Sequence, residues 1–251
     1  MIPSPIHTAL LTVKSSSARF LVMGGQACIL YGAAEFSRDL DLAIATDPEN
    51  AKAVARALEE LRAEQIYVPG FDIAALERGH ACHFRCHASG AENLRIDLMA
   101  KLRGCPDFDE LWNRRTTVEL PEIGSIDVIA LPDLIQAKKT QRDKDWSMIR
   151  RLVETHHLQF CNNPNRDQII FWFRECRTPS LLVELARTYP DDCRGPLGQR
   201  GLLQAAHEGD FAALESVLYQ EEQQERERDR SYWKPLRAEL RQWRRERPPR
   251  T

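Results

Sequence analysis

FLVMGGQACILYGAAEFSRDLDLAI, residues 20–44, decides how this chain is read. The apolar run from Arg19 to Met23 is closed by Gly24-Gly25, which predicts a buried strand ending in a tight turn. Gln26 to Tyr31 then reads as a helical segment. Leu40, Leu42 and Ile44 alternate with Asp39, Asp41 and Ala43, which is strand spacing. That alternation puts Asp39 and Asp41 on one face, close enough to share a divalent cation. Two like charges held together cost free energy unless a cation or a proton intervenes. Mg²⁺ with phosphate oxygens supplies that cation. The glycine pair lets the backbone approach a ligand closely, and a helix opening at Gln26 would turn free N–H groups toward phosphate.

Outward from this stretch, Ile96-Asp97-Leu98-Met99 sets a third carboxylate among apolar residues of a predicted strand. Three carboxylates from two strands make a two-metal site, in which one ion activates a hydroxyl and the other holds a triphosphate. Asp47-Pro48-Glu49 opens a predicted helix running to Arg62, with proline and acids suited to its first turn. Cys82–His87 and Leu94–Met99 read as strands joined by a hairpin connection at 88–93. Thr116–Leu120 and Ser125–Ile129 read as a second pair around Pro121-Glu122-Ile123-Gly124. From Pro132 the pattern turns helical: 133–140, 144–156, 168–176, 180–188, 202–206 and 211–228. The expected class is α+β, with a core at 1–158 and a helical domain at 165–251 beyond the Asn162-Asn163-Pro164-Asn165 loop.

Composition narrows the field. The 251 residues carry a net charge of −2, with 43% hydrophobic and 29% charged residues, which excludes collagen-like and wholly disordered chains. No apolar run approaches the roughly 18 residues of a membrane span. The amino terminus does not read as a secretory signal, and seven scattered cysteines without a CxxC pair suit buried free thiols. A cytoplasmic protein is expected, without a membrane partner.

Hydrophobic-Gly-Gly, then Asp-hydrophobic-Asp-hydrophobic, then a later hydrophobic-Asp-hydrophobic resembles the signature of the nucleotidyltransferase (DNA polymerase β-like) superfamily. More narrowly, residues 20–44 look like the AbiEii/AbiGii toxin-type nucleotidyltransferases, whose Ser/Thr two residues before the first acid is matched by Ser37. LPDLIQAKKTQRDKDW, residues 131–146, is similar to the helical motif following the core in those proteins. The resemblance covers roughly residues 18–155. It implies a minimal nucleotidyltransferase fold, a short mixed sheet flanked by helices, with Mg²⁺ or Mn²⁺ on Asp39, Asp41 and Asp97. It further implies transfer of a nucleoside monophosphate from an NTP such as ATP to an acceptor hydroxyl on RNA or tRNA, a protein or a small molecule. Gly24, Gly25, Gln26, Ser37 and Arg38 would line the nucleotide, with Lys138 and Arg142 near its triphosphate. Asp97 would be a metal ligand or the base for the acceptor. A toxin–antitoxin or phage-defence role with a cognate antitoxin partner also follows from the resemblance. The departure is Glu35, where many relatives carry Arg; Arg38 precedes Asp39 instead. A catalytically inactive nucleotide-binding or protein-interaction module of the same fold is the alternative.

Several other features invite competing readings. Lys138, Arg142 and Asp145 fall at i, i+4 and i+7, one face of a helix, while Lys139 reads as exposed. His80, Cys82, His83, Cys86 and His87 crowd together, but strand spacing holds Cys82 and Cys86 about 13 Å apart and sends His83 to the other face, which argues against zinc and leaves a histidine or Arg85 able to face the active cleft. Arg151 and His156 have the Arg-x4-His spacing of some helical RNases. Trp233, Leu236, Leu240 and Trp243 form an apolar helical stripe that could dock on the body. The accompanying Lys234, Arg237, Arg241, Arg244, Arg245, Arg247 and Arg250 could contact RNA phosphates.

Overall fold

The computed structural model describes residues 4–194 and 200–246; Arg247 and Arg250 of the basic tail lie outside them. Described elements run α1 (Ser4–Ser15), β1 (Phe20–Met23), α2 (Gly24–Leu30), β2 (Asp39–Ile44), α3 (Pro48–Glu60), β3 (Glu64–Gln65), α4 (Ile73–Arg78), β4 (Cys82–Arg85), β5 (Arg95–Met99), α5 (Phe108–Arg114), β6 (Thr116–Leu120) and β7 (Gly124–Val128). Helices follow: α6 (Leu131–Ala137), α7 (Asp143–Phe160), α8 (Arg166–Glu175), α9 (Pro179–Thr188), α10 (Pro190–Arg194), α11 (Leu202–Glu208) and α12 (Phe211–Glu246). The class is α+β.

The strands form one mixed sheet in the order β3-β4-β5-β2-β1-β7-β6. β2 is antiparallel to β1 and parallel to β5, and β1 is parallel to β7. β4–β5 and β6–β7 are antiparallel neighbours, as the two predicted strand pairs require. β3 adds an edge strand that no apolar alternation announced.

Burial follows from alternation along the strands. Leu40, Leu42, Ile44, Ile96 and Leu98 are at most 1% exposed. Leu42, Ile44, Ile96 and Leu98 close around one apolar space with Val13 of α1 and Val54 of α3. Each such side chain contributes about 1.5–3 kcal/mol relative to exposure. α3 begins as its sequence dictates: Asp47 caps it by accepting from the Asn50 N–H at 2.9 Å, with Pro48 in the first turn. Buried Asn50 then bonds the carbonyls of Arg19 and Ala45, tying the start of β1 to the end of β2.

Packing divides the chain into two units, one of residues 1–30, 34–137 and 232–251, the other of residues 31–33 and 138–231. The boundary expected between 158 and 165 lies inside the second unit. There Trp172 and Phe173 of α8 are fully buried, and His156 Nδ1 accepts from Trp172 Nε1 at 2.9 Å. His156 of the RNase-like spacing is thus part of an aromatic cluster with Phe160 and Phe171.

Two expectations need correction. Lys138, Arg142 and Asp145 do not share a helix face, because α6 ends at Ala137 and α7 starts at Asp143. Lys139 is not exposed: it is 8% accessible and pairs with buried Glu175 at 2.8 Å, which offsets the cost of burying its charge. Five of the seven cysteines are buried, whereas Cys105 and Cys161 are partly exposed. Among the described residues no helix is long and apolar enough to cross a membrane.

Candidate active site

The first unit brings β1, β2, β4 and β5 together so that their polar residues share one face. His83, Asp97 and Asp41 stand in a lateral row, each the register partner of the next, and Met23 of β1 extends it. Two residues along, Arg85, Arg95 and Asp39 make a second row. Pleat alternation keeps both rows on the same side. The same alternation sends Leu40, Leu42, Ile96 and Leu98 to the buried face.

The diglycine bend is built against this face. Gly24 has φ +62°, a left-handed conformation that glycine adopts without the strain a side chain brings. A Cβ at Gly24 would lie 1.9 Å from Asp41 Oδ2, and one at Gly25 would lie 2.3 Å from Ser37 Oγ. The Gly25 N–H points to Asp41 Oδ2 at 3.4 Å. Each glycine is therefore matched to one polar residue further along the chain. Gln26 is buried, and its side-chain amide donates to the Ser37 carbonyl at 3.3 Å. Ser37 Oγ donates to the Asp39 carbonyl at 3.2 Å. These bonds brace the loop that delivers β2. Arg38 and Glu35 are exposed, and the Arg38 guanidinium lies 5.8 Å from the centre of the exposed Phe36 ring.

Asp97 is 9% exposed and held from two sides. Arg95 binds it with both prongs, Nε to Oδ1 and Nη2 to Oδ2, each at 2.8 Å. His83 Nδ1 lies 2.8 Å from Oδ1. Tyr67 flanks the pair, its ring 5.7 Å from the His83 ring and 5.9 Å from the Arg95 guanidinium. Burial pushes the Asp97 carboxyl up, but the hydrogen bonds and positive charge of His83 and Arg95 outweigh it and hold it below the ordinary carboxylate value. Arg95 is pushed up by its bond to Asp97, aided by the charges of Asp97 and Asp39.

That depression of Asp97 has a sign in stability. Its contribution is fully present above the ordinary value of 3.8 and is lost as pH falls through the lower folded value. Asp97→Asn is expected to melt about 4 °C below the native chain at neutral pH. The gap should close as the pH falls through the lowered folded value of Asp97. Thermal melts between neutral and strongly acidic pH check this; a gap that persists unchanged in acid contradicts it.

Lys138 and Arg142 belong to the second unit. Both face buried Asp145, Lys138 Nζ at 3.5 Å and Arg142 Nε at 2.7 Å, and Thr140 Oγ1 donates to the same carboxylate at 2.6 Å. The turn between α6 and α7 creates this cluster.

Arg95 is not singled out as a site residue by the sequence, which offers a histidine or Arg85 at the cleft without choosing His83. Arg95 was within reach of the alternation rule, standing two residues before Asp97. His83 was masked by the cysteine–histidine crowd around it; Cys82 and Cys86 are both buried, with burial raising their thiols to about 11. Among the described residues no group of three or more His, Cys, Asp or Glu side chains is gathered as a metal-holding cluster. Arg95 and Arg85 place guanidinium groups on this face.

The sequence matches no model of a known protein family, and no curated protein matches it.

Proposed function

We propose that this chain is a nucleotidyltransferase of the DNA polymerase β-like superfamily, akin to the AbiEii/AbiGii toxin-type members, built on their minimal fold. The observation that carries the reading is the register of the acids. Asp41 is paired with Asp97, Asp39 lies on the same face, and the Gly24-Gly25 bend rests on Asp41. Structural acids on an exposed edge would need neither the central strand position nor a glycine shaped around one carboxylate.

Carboxylate oxygens are the ligands a hard divalent cation prefers, and the charge of Asp97 and Asp39 already acts on the Arg95 guanidinium. Asp39 and Asp41 would hold Mg²⁺ or Mn²⁺, with Asp97 as a further ligand once Arg95 releases it. A bound cation would supply charge neutralisation of the triphosphate and a more acidic acceptor hydroxyl.

In the reaction, the acceptor hydroxyl gives up its proton to solvent water as its oxygen forms a bond to the α-phosphorus of the NTP. The bond from that phosphorus to the bridging oxygen breaks, and pyrophosphate leaves with the electron pair. Asp97 suits the ligand role better than the base role, because the groups holding it ionised also weaken its affinity for a proton. Arg95 is the register partner of Asp39, and a guanidinium there would suit phosphate oxygens if a cation took its place on Asp97. Ser37 and Gln26 position Asp39 through the loop backbone.

The alternative, a non-catalytic nucleotide-binding module, is favoured by one observation: Asp97 is fully engaged by Arg95 and His83. Calorimetry with each NTP and Mg²⁺, paired with pyrophosphate release in the presence of total RNA, separates the two. Binding with turnover supports the transferase; binding without turnover supports the module; absence of binding overturns both.

A further inference from the structure

The end of α12 presents two opposite faces. Tyr232, Leu236, Glu239 and Trp243, spaced by four, three and four, form the inner one. Within the first unit this face is docked on the end of α4. Leu236 is 5% exposed, and a Cβ on Gly79 would lie 2.5 Å from Tyr232 Oη. Glu239 Oε2 lies 2.9 Å from Nε2 of fully buried His80 and 3.2 Å from Arg78 Nε. The Trp243 ring is 4.6 Å from the His80 ring, with the Arg78 guanidinium 5.4 Å from its centre.

The outer face is different in kind. Lys234, Arg237, Arg241 and Arg244 are spaced by three, four and three, and Arg245 stands beside them; all five are exposed. Among the described residues none of them forms an ion pair with an acid. The stripe is about 16 Å long at the rise of an α-helix. Both acids of this segment lie off it, Glu239 on the docked face and Glu246 to one side.

We propose that this stripe docks the phosphate backbone of a nucleic-acid strand. Charge complementarity selects the occupant. A row of cations at helical spacing matches a chain of repeating negative charges, and each contact would release a condensed counterion. A protein partner would require an apolar or aromatic centre, whereas Trp233 and Leu240 are half-buried and stand beside the stripe, not in it. An anionic membrane would require an apolar face free to insert, and on this helix that face is already docked on α4. The inference goes beyond the transferase reading and does not rest on it.

Its test needs no turnover. Fluorescence anisotropy of the full chain with a labelled single-stranded RNA, and with DNA of the same sequence, is followed across a salt series. Binding should weaken steeply with salt, with a log–log slope near about −3.5 for five contacts. Arg237→Gln, Arg241→Gln and Arg244→Gln combined should weaken binding at least about tenfold at low salt and flatten the slope by about 2. The same three positions changed to Lys should retain the slope. Since these side chains are exposed, unchanged melting of both variants confirms that the fold is intact. Binding of either probe that the Gln variant loses supports the proposal, and the preferred probe identifies the strand. It is overturned if neither probe binds at about 50 mM salt, if the Gln variant binds as the native chain does, or if anionic vesicles bind where both probes fail.

Discussion

On the proposed transferase reading, Asp41→Asn is expected to lower pyrophosphate release from NTP, Mg²⁺ and acceptor by about 1,000-fold, the equivalent of about 4 kcal/mol in the transition state. The substitution preserves the volume of the side chain and leaves an oxygen for the Gly25 N–H. It removes one negative charge from the centre of the acid face. β2 is held by β1 on one side and β5 on the other, so the strand itself has no reason to shift. The loss should therefore fall on turnover and on metal-dependent nucleotide binding, with melting nearly unchanged. Pyrophosphate assays of the two proteins under identical conditions check it. Equal turnover removes Asp41 from the mechanism.

Gly24→Ala is expected to destabilise the chain by about 3 kcal/mol, lowering the melting temperature by about 6–12 °C. Two costs combine. A side chain at φ +62° carries left-handed strain of about 1–2 kcal/mol. The new methyl would also sit 1.9 Å from Asp41 Oδ2 and 2.7 Å from Asp41 Cβ, so the carboxylate must be driven from its place. The contact predicts coupling. In an Asp41→Gly background the collision is gone and only the backbone strain persists. A double-mutant cycle should show an interaction of at least about 1 kcal/mol. Additive effects would mean that glycine serves the bend alone and does not shape the acid site.

The same pair of residues shows why part of this fold was legible in the sequence. Strand periodicity marked β1, β2, β4, β5, β6 and β7, because each alternates or runs apolar between turn residues. The acids at 39, 41 and 97 stood out because charges on otherwise apolar strands contradict their surroundings. What periodicity does not encode is lateral pairing. That Asp41 lies beside Asp97, and not one step away, is fixed by the parallel register of β2 and β5. β3 is two residues long and too short to carry a pattern. α1, α4 and α5 were missed; α4 is only six residues, with its Asp72 cap visible only in hindsight. The expected helix over 133–140 runs three residues past the end of α6 because Lys138-Lys139-Thr140 has acceptable helix formers, and the one-face spacing of Lys138, Arg142 and Asp145 assumes a helix across the turn. Its real determinant is Asp145, which gathers Lys138, Thr140 and Arg142 around one buried carboxylate. Likewise the tail stripe was ambiguous between docking and nucleic-acid binding, since a helix has two faces and sequence spacing assigns no neighbour to either. The docked side is the one carrying Leu236 and Trp243.

Direct titration of Mn²⁺, followed by its paramagnetic signal in the presence of an NTP analogue that cannot be cleaved at the α-phosphorus, addresses the acid face without requiring the acceptor. The native chain should take up Mn²⁺ together with the analogue. Asp39→Asn combined with Asp41→Asn should weaken that uptake by at least about tenfold, in line with the loss of two hard oxygen anions. Uptake of equal affinity in the native chain and the double variant would contradict a cation site on Asp39 and Asp41.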